Sequence, residues 1–308
     1  MRLKGTLSLA VVALLAAGCG GTSAPGTTPA PTSTTSTSSS SATVPGASPT
    51  APTATVPPTA TVSPTPPVRA VRMPLKVYFL HGETLASVQR RPVVVGAGVA
   101  TAAVTSLLQG PDRVERAAGL STTIPAGTRL NRITISHGTA DVDLTAAYAS
   151  GGGTLSMTAR LAQVVYTVTQ FSTVQRVTFR LDGIPVTAFG GEGIVLDKPV
   201  TRARFTELLP PIFVDTPARG ATVRSPVRIA GVADVFEGQF LVEVRTAAGR
   251  VLARGAGHAA MGMHAPFRVA LSYKVMHTEA GSVVAYDRSA KDGSVIDLVT
   301  VPVILHHH

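Results

Sequence analysis

Arg132-Ile133-Thr134-Ile135-Ser136-His137-Gly138-Thr139-Ala140-Asp141-Val142-Asp143-Leu144 is the stretch that decides the fold. Its halves alternate in polarity and meet at His137-Gly138, a two-residue turn signal. With that turn, Ile133 faces Val142 and Ile135 faces Ala140, while Arg132 faces Asp143 and Thr134 faces Asp141. One face is apolar and the other is charge-paired. The apolar side of this hairpin therefore needs helical cover, and the charged side does not.

That cover is available on both sides in sequence. Thr154 reads as the N-cap of a helix, and Leu161, Val164, Val165, Val168 and Phe171 follow at helical spacing. A second hairpin turning at Asp182-Gly183 sets Val177, Phe179 and Leu181 beside Ile184, Val186 and Ala188, with Arg176, Thr178 and Arg180 on its other face. Upstream, Leu75 to Leu80 reads as a strand ended by His81-Gly82, and a second extended segment runs from Leu85 to Val95. Val99 to Gln109 then carries Val104, Leu107 and Leu108 at helical spacing until Gly110-Pro111 stops it. The order β-β-α-β-β-α-β-β predicts a two-layer α+β domain over residues 68–207. Its helices should cover one sheet face and leave Arg132, Asp141, Asp143, Arg176 and Arg180 on the other.

After Pro210-Pro211 the helical signal ends. Short strands are expected at Ile212 to Val214, Val227 to Ile229, Gln239 to Arg245, Arg250 to Gly255, Phe267 to Tyr273, Ser282 to Tyr286 and Val295 to Ile304. Turn residues such as Ala248-Gly249 and Lys291-Asp292-Gly293 separate them, which predicts an all-β immunoglobulin-like sandwich over 208–305. The boundary is expected near residues 205–212, with each side folding by itself. His306 to His308 are either native or the remnant of a purification tag, and carry no functional argument.

At the other end, residues 1–18 have the parts of a secretory signal: Arg2 and Lys4, an apolar run from Leu7 to Ala17, and Gly18 before Cys19. The run is shorter than the roughly 20 apolar residues of a membrane-spanning helix. Leu15-Ala16-Ala17-Gly18-Cys19 resembles the lipobox of bacterial lipoproteins, with Ala16 where the leucine usually stands. The resemblance implies that Cys19 is lipidated, becomes the first residue of the mature chain, and tethers it to the outer face of the cell membrane. Residues 19–67 continue as a spacer of Ser, Thr, Pro, Ala and Gly with no charge and no aromatic from Gly20 to Pro67. Such a composition cannot form a core and predicts a disordered leash, roughly 40 Å long as a coil and up to about 150 Å as polyproline II. It also invites O-glycosylation.

Composition excludes several kinds of chemistry. One cysteine in 308 residues rules out a disulfide within the chain and a cysteine zinc site. The chain carries net charge +10, and residues 69–207 hold 15 basic and 9 acidic side chains against 10 and 8 in 208–308. The α+β domain is the electropositive one and would attract an anionic partner such as wall polymer. Gly96-Ala97-Gly98 lacks the third glycine of a dinucleotide fingerprint, since Thr101 stands there, so no nucleotide cofactor is expected. Asp141 and Asp143 lie about 7 Å apart on one strand face, inside the range of inverting glycosidases. Arg132 and Thr134 opposite them make ion pairing the simpler account. His258 and His264 flank a Gly/Met-rich loop without an HExxH pattern, which favours a surface loop over a metal site. No GxSxG nucleophile elbow is present.

Several motifs together identify a family. Residues 76 to 183 resemble the GerMN domain of bacterial sporulation and spore germination proteins through Val77-Tyr78-Phe79, Leu107-Leu108-Gln109-Gly110-Pro111, Ile124-Pro125-Ala126-Gly127-Thr128, Ala140-Asp141-Val142-Asp143-Leu144 and Val165-Tyr166-Thr167-Val168-Thr169-Gln170-Phe171. From Pro211 the chain resembles the immunoglobulin-like Gmad2 module through Ser225-Pro226, Gly231-Val232-Ala233, Phe236-Glu237, Pro266-Phe267 and Ser289-Ala290-Lys291-Asp292-Gly293. The resemblance implies a non-catalytic envelope lipoprotein that takes part in sporulation, germination or wall remodelling. Its expected partners are the membrane, through Cys19, and envelope proteins or anionic wall polymers. It brings no catalytic residue, and from the residues and the expected compartment no cofactor, no metal and no nucleic acid are expected. Receptor for a wall fragment and, less favoured, wall hydrolase are the alternatives. The excess of Arg over Lys, 22 against 5, fits a GC-rich actinobacterial genome.

Overall fold

A computed structural model describes residues 70–96, 98–191 and 193–307. Cys19, the signal and spacer segments, and Ala97 of the glycine pair lie outside them. The first part runs β1 (Ala70–Arg72), β2 (Leu75–His81), β3 (Thr84–Arg90), β4 (Val93–Val95), α1 (Val99–Leu108), α2 (Arg113–Ala117), β5 (Leu120–Ser121), β6 (Leu130–Ser136), β7 (Thr139–Leu144), α3 (Thr154–Val168), β8 (Arg176–Leu181), β9 (Ile184–Pro185), β10 (Ala188–Phe189) and β11 (Ile194–Val195). This is the expected α+β order with short additions. Its strands form two main sheets instead of one, β3-β2-β5 and β6-β7-β8-β9.

The deciding hairpin has the expected register, with Ile133 opposite Val142, Ile135 opposite Ala140, Arg132 opposite Asp143 and Thr134 opposite Asp141. Strand β8 then lies parallel to β7, as the α3 crossover requires. The second hairpin is shorter than its alternation suggested: Leu181–Ile184 and Arg180–Pro185 pair and Val186 N still donates to the Phe179 carbonyl (3.0 Å), but Val177 bridges to Val200 instead of meeting Ala188, and Ile184 is exposed. Helix α3 starts at Thr154 as expected, but Gly153 occupies the N-cap and no side chain caps it. Thr154 is the first helical residue.

Helix α3 is buried on nearly all sides from Ala159 to Val168, including Arg160, Gln163 and Thr167. Buried polar groups need partners: Arg160 donates to the carbonyls of Tyr148, Ser150 and Gly151, while the others complete a strand edge. Gln163 Nε2 donates to the Tyr78 carbonyl (2.9 Å) and Thr167 Oγ1 accepts from the Tyr78 amide (3.3 Å). Just past the helix, Gln170 accepts from the Lys76 amide (2.8 Å) and donates to its carbonyl (2.6 Å). Side chains from the α3 segment thus stand in for a neighbouring strand along this edge of β2.

The second part is β12 (Ile212–Thr216), β13 (Ala221–Val223), β14 (Val227–Ala233), β15 (Gln239–Thr246), β16 (Val251–His258), β17 (Ala265–Leu271), β18 (Glu279–Arg288) and β19 (Val295–Leu305). The sheets β12-β14-β17 and β13-β19-β18-β15-β16 make the expected sandwich. β13 was not foreseen; it is three residues long and pairs parallel with β19. Glu243 is fully buried in the larger sheet. It accepts from Arg245, Arg254 and Tyr286, and although burial opposes its charge, those three donors hold its carboxyl below the usual range.

Strand β12 serves two cores at once. Ile212 and Val214 enter the sandwich core, whereas Phe213 enters the core of the α+β part beside Tyr78 and Tyr166. The backbone is also continuous across this seam, where Gln89 N donates to Arg219 O and Arg219 N to Ser87 O, both at 2.9 Å.

Candidate functional site

Two polar constellations stand out, one on an open sheet face and one in the seam. On the face, the parallel pairing of β7 and β8 places Thr178 beside Asp141 and Arg180 beside Asp143. Asp141 accepts from the Thr178 hydroxyl (2.8 Å) and from Arg180 Nε (2.7 Å). Its ion-pair partner is therefore Arg180, one strand over, and not an arginine of the hairpin. Arg176 reaches Thr139 Oγ1 (2.9 Å) and stays exposed. Arg132 is exposed and its side chain makes no hydrogen bond or ion pair among the described residues.

Asp143 departs from the expectation of an open face. It is only 8% exposed, because the Asp182-Gly183 turn folds over it. It accepts from Gly183 N (3.0 Å) and from Asn131 Nδ2 (3.4 Å). Both carboxylates are thus occupied in holding the sheet and its turn. Arg132, Arg176 and Arg180 come together on the face with Asp141, and Asp143 lies beneath the turn.

The seam was not legible as a site. Its centre is Asp215, at a bulge in β12: Val214 pairs with Gly231 and Thr216 with Ala230, leaving Asp215 without an opposite residue. Bulges re-aim side chains, and this one turns a carboxylate toward the α+β part. Gly231 permits the close approach, since a Cβ there would lie 1.8 Å from the Phe213 carbonyl oxygen. Asp215 pairs with Lys76 Nζ at 2.8 Å and Arg202 Nη1 at 3.6 Å, and the Tyr78 hydroxyl donates to its other oxygen. Arg202 also donates to Thr169 Oγ1 (2.8 Å) and the Tyr166 carbonyl (3.0 Å), with its guanidinium 4.5 Å from the Tyr166 ring centre. One charge in the otherwise apolar run Ile212-Phe213-Val214-Asp215 was the available signal.

The electrostatics fit a lock better than a reactive centre. Burial, reinforced by Asp215, pushes the Tyr78 phenol well up. Burial likewise lifts Tyr166 to about 12. For Asp215 burial opposes ionisation, but Lys76 and Arg202 outweigh it and hold the carboxyl below its ordinary value. For Arg202 burial is again outweighed, here by the Tyr78 hydroxyl that accepts from it and by the charge of Asp215, so its own charge is held more firmly. A phenol held neutral and a carboxylate held ionised are poorly matched to proton transfer near neutrality.

Among the described residues no group of three or more His, Cys, Asp or Glu side chains could hold a metal. His258 and His264 flank their loop as expected, and His264 Nε2 lies 3.1 Å from the Pro210 carbonyl. No helix among the described residues is long and apolar enough to cross a membrane.

The Germane family model, described as sporulation and spore germination, matches residues 76–187. The Gmad2 model, the immunoglobulin-like domain of bacterial spore germination, matches 211–294. No curated protein matches the chain. Among solved structures, the first GerMN domain of the sporulation protein GerM from Bacillus subtilis is 19% identical, with 42% of this chain and 98% of that chain covered and a TM-score of 0.36. The tandem GerMN domains of the same protein are 14% identical, with 76% and 61% covered and a TM-score of 0.38. A Clostridium perfringens protein provisionally described as a lipoprotein is 18% identical, with 45% and 93% covered and a TM-score of 0.33. The assignment rests on the two family matches and on the α+β and sandwich architectures beneath them. Residues 76–187 belong to the Germane family of sporulation and spore germination domains, and residues 211–294 belong to the Gmad2 immunoglobulin-like family.

Proposed function

We propose that this chain is a non-catalytic, lipid-anchored envelope protein that binds or assembles with other envelope components through the sheet face of its GerMN domain. The observation that carries this reading is the arginine group on that face: Arg132 is exposed and unpaired among the described residues, Arg176 is exposed and held by Thr139 and the His137 carbonyl, and Arg180 is half-buried between Asp141 and the Gly183 carbonyl. A basic face on the more electropositive domain speeds encounter with an anionic or acidic partner. Cys19 supplies the tether and the spacer to residue 67 supplies the reach, which places the protein outside the cytoplasm. The domain limits 68–207 and 208–305 belong to the same proposal.

Crosslinking in intact cells tests it. The triple variant Arg132→Ala, Arg176→Ala, Arg180→Ala should fold and lose the partners that the wild type captures. Unchanged recovery would remove the face from consideration, and turnover of purified wall by the wild type would overturn the non-catalytic reading. For the anchor, Cys19→Ser should move the protein out of the membrane fraction; a variant that stays there while the wild type carries no acyl mass sinks the tether.

One observation favours a second reading, receptor for a wall fragment or other small ligand. A cavity of about 390 Å³ opens at the seam, with Arg202, Asp215, Arg268 and His264 in its wall and Leu209, Phe213 and Phe267 supplying apolar surface.

A further inference from the structure

The loop 259–264 joins β16 of the larger sheet to β17 of the smaller one, and with His258 it reads His258-Ala259-Ala260-Met261-Gly262-Met263-His264. Methionine usually earns its place by filling gaps in a core, as Met157 does here at 5% exposure. Met261 and Met263 do the opposite, at 68% and 65% exposure. Gly262, with φ of +80°, reverses the chain between them. The base of the loop is fixed, since Ala259 N donates to Gly238 O (2.9 Å) and His258 pairs with Gln239 in the sheet. Two thioethers are therefore presented to solvent on a turn whose ends are anchored.

The histidine beside them is oriented. His264 Nε2 lies 3.1 Å from the Pro210 carbonyl oxygen, which can only accept, so Nε2 carries the proton and the lone pair of the neutral ring sits on Nδ1. A backbone carbonyl holding the far ring nitrogen is the usual arrangement for a metal-ligating histidine. The donors of this segment are thioether sulfur and imidazole nitrogen, and residues 258–264 contain no carboxylate and no thiol. Hard cations such as magnesium and calcium demand oxygen ligands, whereas thioethers select soft ones, copper(I) above all. Thioethers also bind without losing a proton and form no disulfides, which suits a chain whose single cysteine is at position 19.

We propose that this loop binds copper(I), with the sulfurs of Met261 and Met263 and Nδ1 of His264 as ligands and His258 completing the set. The site lies on the Gmad2 domain, shares His264 with the seam cavity, and does not depend on the envelope reading. Anaerobic competition of the full chain against bicinchoninate for copper(I) tests it. The wild type should hold one equivalent that depends on the loop, and Met261→Leu/Met263→Leu and His264→Ala should each weaken its capture by about tenfold or more. Cys19 and the tail histidines are the same in every variant, so a site built on them would not respond to these changes. In a second measurement, silver(I) should shift the methyl resonances of Met261 and Met263 and leave those of buried Met157 and of exposed Met276 in place. A wild type that takes no copper, a double variant that competes as well as the wild type, or silver shifts that spare both loop methionines would overturn the assignment.

Discussion

The open sheet face and the seam each hold an aspartate paired with a basic side chain at almost the same distance, 2.7 Å for Asp141–Arg180 and 2.8 Å for Asp215–Lys76. They differ in what surrounds the pair. On the face both side chains are 33% exposed, and water competes for them. In the seam the carboxylate is 21% exposed and is shared by Lys76, Arg202 and Tyr78 between two hydrophobic cores. An exposed pair contributes about 0.2–1 kcal/mol, whereas breaking a fully buried one by removing a partner costs about 3–5 kcal/mol; the seam, with Lys76 24% and Arg202 31% exposed, belongs at the low end of that range. Identical chemistry thus fastens two domains in one place and leaves arginines available to a partner in the other.

Cutting the molecule tests this contrast most severely. Fragments 68–207 and 211–305 should each unfold cooperatively, but the first should be less stable than the same region of the intact chain by about 5 kcal/mol. That figure is a lower bound, combining about 2 kcal/mol for the lost burial of Phe213 with about 3 kcal/mol for the broken lock; the cut also takes Leu208 and Leu209 out of the same core, which adds to the loss. Urea titrations that give the fragment the stability of the whole would show that the seam is passive. Asp215→Ala in the intact chain should cost about 3 kcal/mol, because Lys76 and Arg202 lose their counter-charge and Tyr78 its acceptor. A midpoint shift as small as that of a surface variant would place Asp215 with the outer face.

Acid should reach the seam next. The folded-state pKa of Asp215 lies below its ordinary value, so its stabilisation is complete above the unfolded value of about 3.9 and is lost as pH falls through the folded one. Thermal melts should therefore show the wild type losing stability below about pH 4, with Asp215→Asn losing less over the same window. Parallel pH curves for the two proteins would contradict this. Glu243 in the sandwich has the same sign and sets the common background in both. The smallest effects belong to the face. Arg180→Ala should cost at most about 1 kcal/mol and Arg132→Ala less than about 0.5 kcal/mol; a larger loss at Arg132 would mean that it is not free.

Legibility followed the range of the interactions. The β6–β7 hairpin was readable pair by pair, since a two-residue turn and period-two alternation leave a single register. Helix α3 was readable from its apolar spacing, but its burial on all sides was not, because Gln163, Thr167 and Gln170 look like a solvent face until β2 is placed against them. Asp143 misled for a related reason. Alternation assigned it to the open face, and a turn about forty residues later closed over it. The short strand β13 carries too few residues for any pattern, and its partner β19 lies at the far end of the chain.

Local sequence carried the two fold classes, the order of the long elements, the hairpin register and the place where composition changes from spacer to folded chain. These follow from local propensity, turn chemistry and hydrophobic period, which act within a few residues. Only the tertiary structure decided that Phe213 and Ile212, adjacent on one strand, belong to different cores, that Arg180 instead of Arg132 neutralises Asp141, and that Asp215 gathers Lys76, Tyr78 and Arg202. Each of these depends on which segments meet in space. Charge and burial at such a contact are properties of the assembled neighbours, and no single segment of the chain contains them.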